Sequence, residues 1–314
     1  MPTPKSPKPI RGVFAALATP RRSESNEIDT AAFFDYQDAI MRAEVDGLVL
    51  FGATGEFVHF DISDRMQAVS LMTKRSRVPV LVNISHSTLD GALALAESTM
   101  NSDIAGLLVM PPYFYRYSDE QILAFFEQFA RAIDGRTSLF LYNLPLFTNP
   151  ISYRVIEALL GSGAYAGIKD SSGDRELLRQ LHALHARNPF VWLAGNECLY
   201  VKARQAGAEG TISGVAGAVP ELIVAIDRAV AAGAPEQTAR LNGLLMEFLD
   251  WLNRFPATVA IKQTAVARGW KLNHSAFPFD TGTARDVEAF RRWLNEWLPR
   301  VLAECERIGA ARVQ

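Results

Sequence analysis

Cysteine is scarce: Cys198 and Cys305 are the two in 314 residues, and they lie far apart. They offer no disulfide framework, so a reducing, cytoplasmic setting is the expectation. An excess of one charge is also missing. Lys and Arg number 32 against 34 Asp and Glu, for a formal net charge of −2. That balance gives no footing for nucleic acid or for an anionic membrane surface. No apolar run approaches the ~18 residues of a membrane-spanning helix. The opening MPTPKSPKPIRG lacks an apolar core and reads as a flexible tail over residues 1–10, neither signal peptide nor anchor. Beyond it there is no low-complexity tract and no repeat of solenoid type. The five histidines, His59, His86, His182, His185 and His274, are scattered, so no metal is expected. His182 and His185 share a helix face and read as surface residues. His86, just past a strand, is placed to reach a site at the strand ends.

What is present is hydrophobic residues, 49% of the chain, in short runs that alternate with helical patterns. Strands are expected at 12–18, 45–51, 79–83, 106–110, 138–141, up to Lys169, 190–193 and 210–213. Helices are expected between them, from Asp29 to Ala43, Ser63 to Ser76, Ser87 to Ser102, Ser118 to Ile133, Ser152 to Leu160, Arg175 to Asn188 and Leu199 to Ala206. Pro220 starts an eighth helix. Strands buried on both faces at this spacing predict a (β/α)8 TIM barrel over residues 11–232. An open doubly wound sheet is the competitor, but no glycine-rich phosphate fingerprint follows the first strand. Residues 233–314 form a C-terminal extension of three helices, helical throughout from Glu236 to Val313. Its apolar stripes (Leu241, Leu244, Leu245, Phe248, Leu252; Phe290, Trp293, Trp297, Val301) are expected to be core.

Barrel enzymes place their chemistry where strands end. The second strand runs into Gly52-Ala-Thr-Gly-Glu56, two glycines around a hydroxyl and backbone amides. Such a turn suits a carboxylate or oxyanion, or is a plain loop opening a helix. The fifth strand ends on Tyr142, either a core phenol or a proton carrier. The sixth ends on Lys169, followed by Asp-Ser-Ser-Gly-Asp174. A lysine at a strand tip either snorkels out to water or sits withdrawn from it. Withdrawal disfavours the ammonium, and the free amine can attack a carbonyl. Asn196 and Glu197 follow the seventh strand, Ser213 and Gly214 the eighth.

G-x-T-G-E, Y-N-x-P and G-I-K-D-x-x-G-D, in that order, resemble the pyruvate-dependent class I aldolases. That family includes dihydrodipicolinate synthase and N-acetylneuraminate lyase, and the resemblance spans essentially the whole chain. It implies an imine between Lys169 and pyruvate or another 2-keto acid, with an aldehyde as the second component. It implies Tyr142 as acid and base, and Thr54 with the amides around Ala53 and Gly55 as the carboxylate holder. Ile212 is implied as a pocket residue. No cofactor beyond the imine is implied. A homotetramer, a dimer of dimers, is implied with Phe114 and Tyr115 near its tight interface.

Three positions depart from the synthase pattern: Ala53 for a threonine, Phe114 for a tyrosine, and Phe147 for an arginine that receives a carboxylated substrate. These changes argue against aspartate semialdehyde as partner. Phe147 suits a less charged or aromatic aldehyde. Ser171, Asn196, Glu197 and Ser213 are instead placed to hold the hydroxyls of a 2-keto-3-deoxy sugar acid. The function expected is a Schiff-base lyase or aldolase acting on such a sugar acid or a related aldol. The alternatives are a Schiff-base dehydratase, a true dihydrodipicolinate synthase, and a non-catalytic 2-keto-acid binding protein.

Overall fold

The eight apolar runs become eight parallel strands: β1 (Gly12–Ala16), β2 (Gly47–Leu50), β3 (Val80–Asn83), β4 (Gly106–Val109), β5 (Leu139–Asn143), β6 (Gly167–Asp170), β7 (Val191–Ala194) and β8 (Gly210–Ser213). The structure is a computed structural model that describes residues 9–310 apart from 24, 26, 257 and 273. Each strand pairs with its sequence neighbours, and β8 returns to β1, so the sheet closes into a barrel. Every strand residue is buried except Val191, which is half-buried. That double-sided burial is why the strands read as continuous apolar runs without alternation.

The crossover helices are α1 (Thr30–Arg42), α2 (Ile62–Arg75), α3 (Leu89–Thr99), α4 (Asp119–Ile133), α5 (Tyr153–Gly161), α6 (Arg175–Arg187), α7 (Tyr200–Gln205) and α8 (Pro220–Ala231). Their starts follow local chemistry. The Asp29 carboxylate accepts from the Ala32 amide at 3.0 Å, and Ser118 with Gln121 forms a reciprocal capping box on α4. Asp174, the last residue of the lysine motif, accepts from the amides of Glu176 and Leu177 and opens α6. Of the proposed tail, residues 1–8 lie outside the described residues.

Three further helices follow, α9 (Pro235–Leu252), α10 (Val259–Ala267) and α11 (Thr281–Ala310). Their aromatic stripes are core, with Phe248 stacked on Trp297 at 5.3 Å and Trp293 on Trp297 at 5.0 Å. The expectation of continuous helix from Glu236 is corrected at 268–280, which is not helical. Gly269, at φ +81°, ends α10 in a conformation that side chains resist, and Pro278 supplies no amide for a helical bond. Val313 lies outside the described residues.

Candidate active site

Lys169 and Tyr142 sit opposite one another in the register of β6 and β5. The strand β5 runs two residues past the expected end, to Asn143, and so carries the phenol into the barrel wall. Both side chains are almost fully buried, Lys169 at 4% exposure and Tyr142 at 2%. The Lys169 Nζ lies 3.9 Å from the centroid of the Tyr142 ring. Of the two readings of a strand-tip lysine, the withdrawn one holds.

A glycine at the end of β7 makes the room. A methyl group on Gly195 would come within 3.0 Å of the Lys169 Cε and 2.2 Å of the Ser171 Oγ. Ser171 therefore stands beside the amine, and its hydroxyl oxygen is buried without a hydrogen-bond partner among the described residues. The next residue along β6, Asp170, serves a different purpose. Its carboxylate accepts from Asn143 Nδ2 at 2.8 Å and from the amide and hydroxyl of Ser172, and burial pushes its pKa up. It ties β6 to β5 and fixes the strand that holds the lysine.

The turn after β2 is tightly wound. Phe51 and Glu56 both have positive φ, which is strained for side chains of their size. The amides of Gly55 and Glu56 donate to the carbonyls of Gly52 and Ala53. Gly55 packs within 3 Å of where a Cβ would strike Phe51, and its carbonyl accepts from Thr19 Oγ1 at 2.7 Å. Gly55 thus closes the turn, its amide spent on the Gly52 carbonyl. The Ala53 and Thr54 amides and the Thr54 hydroxyl are the donors that the turn does not use itself. Thr54 faces β8, since a Cβ on Gly214 would meet its Oγ1 at 2.7 Å.

Other sequence candidates are held by the protein. One Glu197 oxygen accepts from Ser213 Oγ at 2.8 Å and from the amides of Gly214 and Val215, which fastens the turn after β8. Ser213 also accepts from the Ala216 amide. Asn196 Oδ1 accepts from the Cys198 amide, and its Nδ2 lies against Gly173. Ile212 is buried in β8. Among the histidines, His182 bonds the Ala206 carbonyl and His185 the Glu209 carboxylate, both from α6. His86 turns to Thr88 and Gly91 at the start of α3.

Two buried clusters escaped the sequence reading. In the first, Lys262 of α10 meets the Glu56 carboxylate at 2.5 Å and donates to the His274 carbonyl at 3.0 Å. Thr258 donates to the other Glu56 oxygen at 2.9 Å, and the Arg21 Nε stands 4.0 Å away. Burial, foremost, lowers the Lys262 pKa. The last residue of the G-x-T-G-E motif is therefore an anchor that locks the turn to the C-terminal extension. A lysine within the mostly apolar VAIKQTAVA was the available signal. In the second, buried Arg65 donates to the carbonyls of Asn83 and Ser85, and burial pushes its pKa down to about 10. Asn83 in turn donates to the Phe51 carbonyl at 2.7 Å, bracing the same turn from β3.

Beside this turn lies a cavity of about 370 Å³, walled by loops after β2, β4 and β5 and by the 268–280 segment. Ala53, Leu144 and Phe147 line it. Phe114 and Tyr115 project from the loop after β4, 87% and 67% exposed, with Phe114 at φ +83°. No helix among the described residues is long and apolar enough to cross a membrane.

Proteins of similar sequence and similar fold are known. The 4-hydroxy-tetrahydrodipicolinate synthase of Salinibacter ruber is 30% identical over 276 residues, covering 86% of this chain and 89% of its own. The N-acetylneuraminate lyase of Rhizobium meliloti is 24% identical, covering 90% and 93%. The crystal structure of YagE, a prophage protein of the dihydrodipicolinic acid synthase family from E. coli K12 in complex with pyruvate, superposes with a TM-score of 0.85. Its identity is 22%, over 92% of this chain and 98% of that one. Residues 9–296 match the Dihydrodipicolinate synthetase family, and the chain belongs to that family.

Proposed function

We propose that this protein is a Schiff-base lyase that makes or cleaves a 2-keto acid, with pyruvate as the component carried on Lys169. The observation that supports it most directly is the buried Lys169 amine 3.9 Å from the Tyr142 ring, with Gly195 clearing its path. Nζ attacks the ketone carbon of pyruvate and water departs, leaving an iminium. That cation draws electrons, so the adjacent methyl loses a proton and becomes a nucleophilic enamine carbon. The enamine adds to an aldehyde, the new alkoxide takes up a proton, and water hydrolyses the imine. Run backwards, the same steps cleave the carbon–carbon bond. Tyr142 is the group best placed to pass these protons, and no separate cofactor is required by the scheme.

Thr54 and the Ala53 and Thr54 amides hold the pyruvate carboxylate across the mouth from the amine. Ser171, with its unpartnered oxygen beside Lys169, is the remaining polar group in reach of the imine. Self-association into a dimer of dimers, with the exposed Phe114 and Tyr115 at the tight contact, completes the proposal. A bulky residue at positive φ is a strain of about 1–3 kcal/mol that surroundings must hold in place, and a second subunit supplies such surroundings.

Borohydride reduction in the presence of pyruvate, read by intact mass, tests the central step. The wild type gains one reduced pyruvate and Lys169→Ala gains none. An unmodified wild type, or an adduct that survives Lys169→Ala, refutes it. Product analysis separates lyase from dehydratase, since free pyruvate is released only by the former.

A further inference from the structure

We infer that the aldehyde partner of this enzyme carries an uncharged aryl group, which seats in the cavity beside the threonine turn. The inference rests on the Schiff-base reading above and specifies its second substrate. The cavity, about 370 Å³, has the size of a small-molecule site. Its position is the first argument. Ala53 and Glu56 of the threonine turn stand in its wall, as does Leu144, two residues after Tyr142 on the loop that leaves β5.

Its lining is the second argument. Phe147, Phe277 and Phe279 bring three aromatic rings to one small space, with Tyr113 and Met110 behind them. Among the described residues, neither lysine nor arginine lines it. The one carboxylate, Glu56, is committed to Lys262 and Thr258. Thr148 donates to backbone carbonyls at 3.1 Å. What remains polar is Ser275, Thr283, His59 and the Tyr113 phenol, which bonds the Ser87 backbone. His59 packs edge-on to Phe277 at 5.7 Å, and burial lowers its pKa, so it is neutral at neutral pH. A carboxylated aldehyde would shed its water here and meet no cation. A phenyl ring loses nothing by entering and gains aromatic contact on several sides.

The third argument concerns the competing polyol. A sugar chain needs several open hydrogen-bonding groups, yet Glu197 and Ser213 are bonded to one another and Asn196 Oδ1 to its own turn, which leaves Ser171, beside the amine, as the open hydroxyl of the four. The reaction balances without another reagent. Pyruvate and an aryl aldehyde combine, through one new bond between the pyruvate methyl carbon and the aldehyde carbon, into a 4-aryl-4-hydroxy-2-keto acid. The water lost on forming the imine returns on its hydrolysis.

The test compares kcat/KM for benzaldehyde, glyceraldehyde and succinic semialdehyde at saturating pyruvate, in the wild type and in Phe147→Arg. Pyruvate adduct formation under borohydride is followed in parallel. Benzaldehyde is expected to exceed each of the others by about 10-fold or more, the scale on which apolar pockets discriminate. Phe147→Arg is expected to raise the KM for benzaldehyde about 10-fold while the pyruvate adduct still forms. An adduct together with a preference for glyceraldehyde or succinic semialdehyde overturns this inference and leaves the Schiff base standing. So does an unchanged benzaldehyde KM in Phe147→Arg, including the case in which the variant merely dissociates an oligomer. Absence of the adduct in the wild type overturns both.

Discussion

The buried pair between Glu56 and Lys262 is the most exacting place to perturb this enzyme away from its reacting atoms. Three ionic side chains share the pocket: Arg21 at 6% exposure, Glu56 at 8% and Lys262 at 1%. Glu56→Gln removes the carboxylate charge that Lys262 contacts at 2.5 Å. A buried lysine escapes such a position by releasing its proton, which at pH 7 costs about 4.6 kcal/mol from an ordinary pKa of ~10.4. That sets a ceiling, so the expected loss lies between about 3 kcal/mol, the low end for breaking a buried pair, and that value. Lys262→Met is gentler, because Glu56 keeps the Thr258 hydroxyl at 2.9 Å and Arg21 at 4.0 Å. A loss of about 2–3 kcal/mol is expected there, and the double variant should lose less than the single losses combined. The pH dependence carries a sign. The folded-state pKa of Lys262 is already lowered by burial, so the unfolded chain binds more protons below ~10.4. Stability contributed by this site therefore rises with pH, and in Glu56→Gln it should rise more steeply between pH 7 and 9.5. Urea unfolding of the three variants at both pH values measures this. If Lys262→Met costs more than Glu56→Gln, or Glu56→Gln costs under about 1 kcal/mol, the pair is not the anchor described.

Other outcomes follow from equally local causes. Gly195→Ala places a methyl group 3.0 Å from the Lys169 Cε and 2.2 Å from Ser171 Oγ, so kcat/KM should fall about 100-fold with the fold retained, as measured by steady-state kinetics and circular dichroism; near wild-type turnover would refute it. Burial lowers the pKa of both His59 and His86, so the folded chain binds fewer protons than the unfolded one below ~6.5, and stability falls as pH drops through that value toward the folded pKa. Comparing unfolding midpoints at pH 7 and 5.5, His59→Gln/His86→Gln should lose less than the wild type; an equal loss refutes the assignment. Phe114→Gly should relieve backbone strain of about 1 kcal/mol in the isolated chain yet yield a smaller species by sedimentation, and an unchanged oligomer would place the contact elsewhere.

How much of this was legible in the chain can be judged residue by residue. The barrel was legible because both strand faces are buried: GLVL, GLLV and VLVN need no tertiary information to read as strands sealed on both sides. Lys169 and Tyr142 were legible for the same reason, as polar groups ending apolar runs, and parallel register then puts them opposite each other. The motif's Glu56 was visible but not its purpose. Its partners stand 202 and 206 residues away, just before and within α10, and no local pattern announces an ion pair across that distance. The wall of the aryl cavity was lost for a related reason. A helical reading of 268–280 hides Phe277 and Phe279, although Phe-Pro-Phe is a poor helix and Pro278 was the sign. Lys262 joins the two omissions: it holds the Glu56 carboxylate with its ammonium and the His274 carbonyl with another proton. One buried amine thereby fixes both the turn that presents Thr54 and the segment that closes the cavity. The turn and the segment are thus both positioned by one residue far from the turn in sequence, which strand-tip reasoning alone could not find.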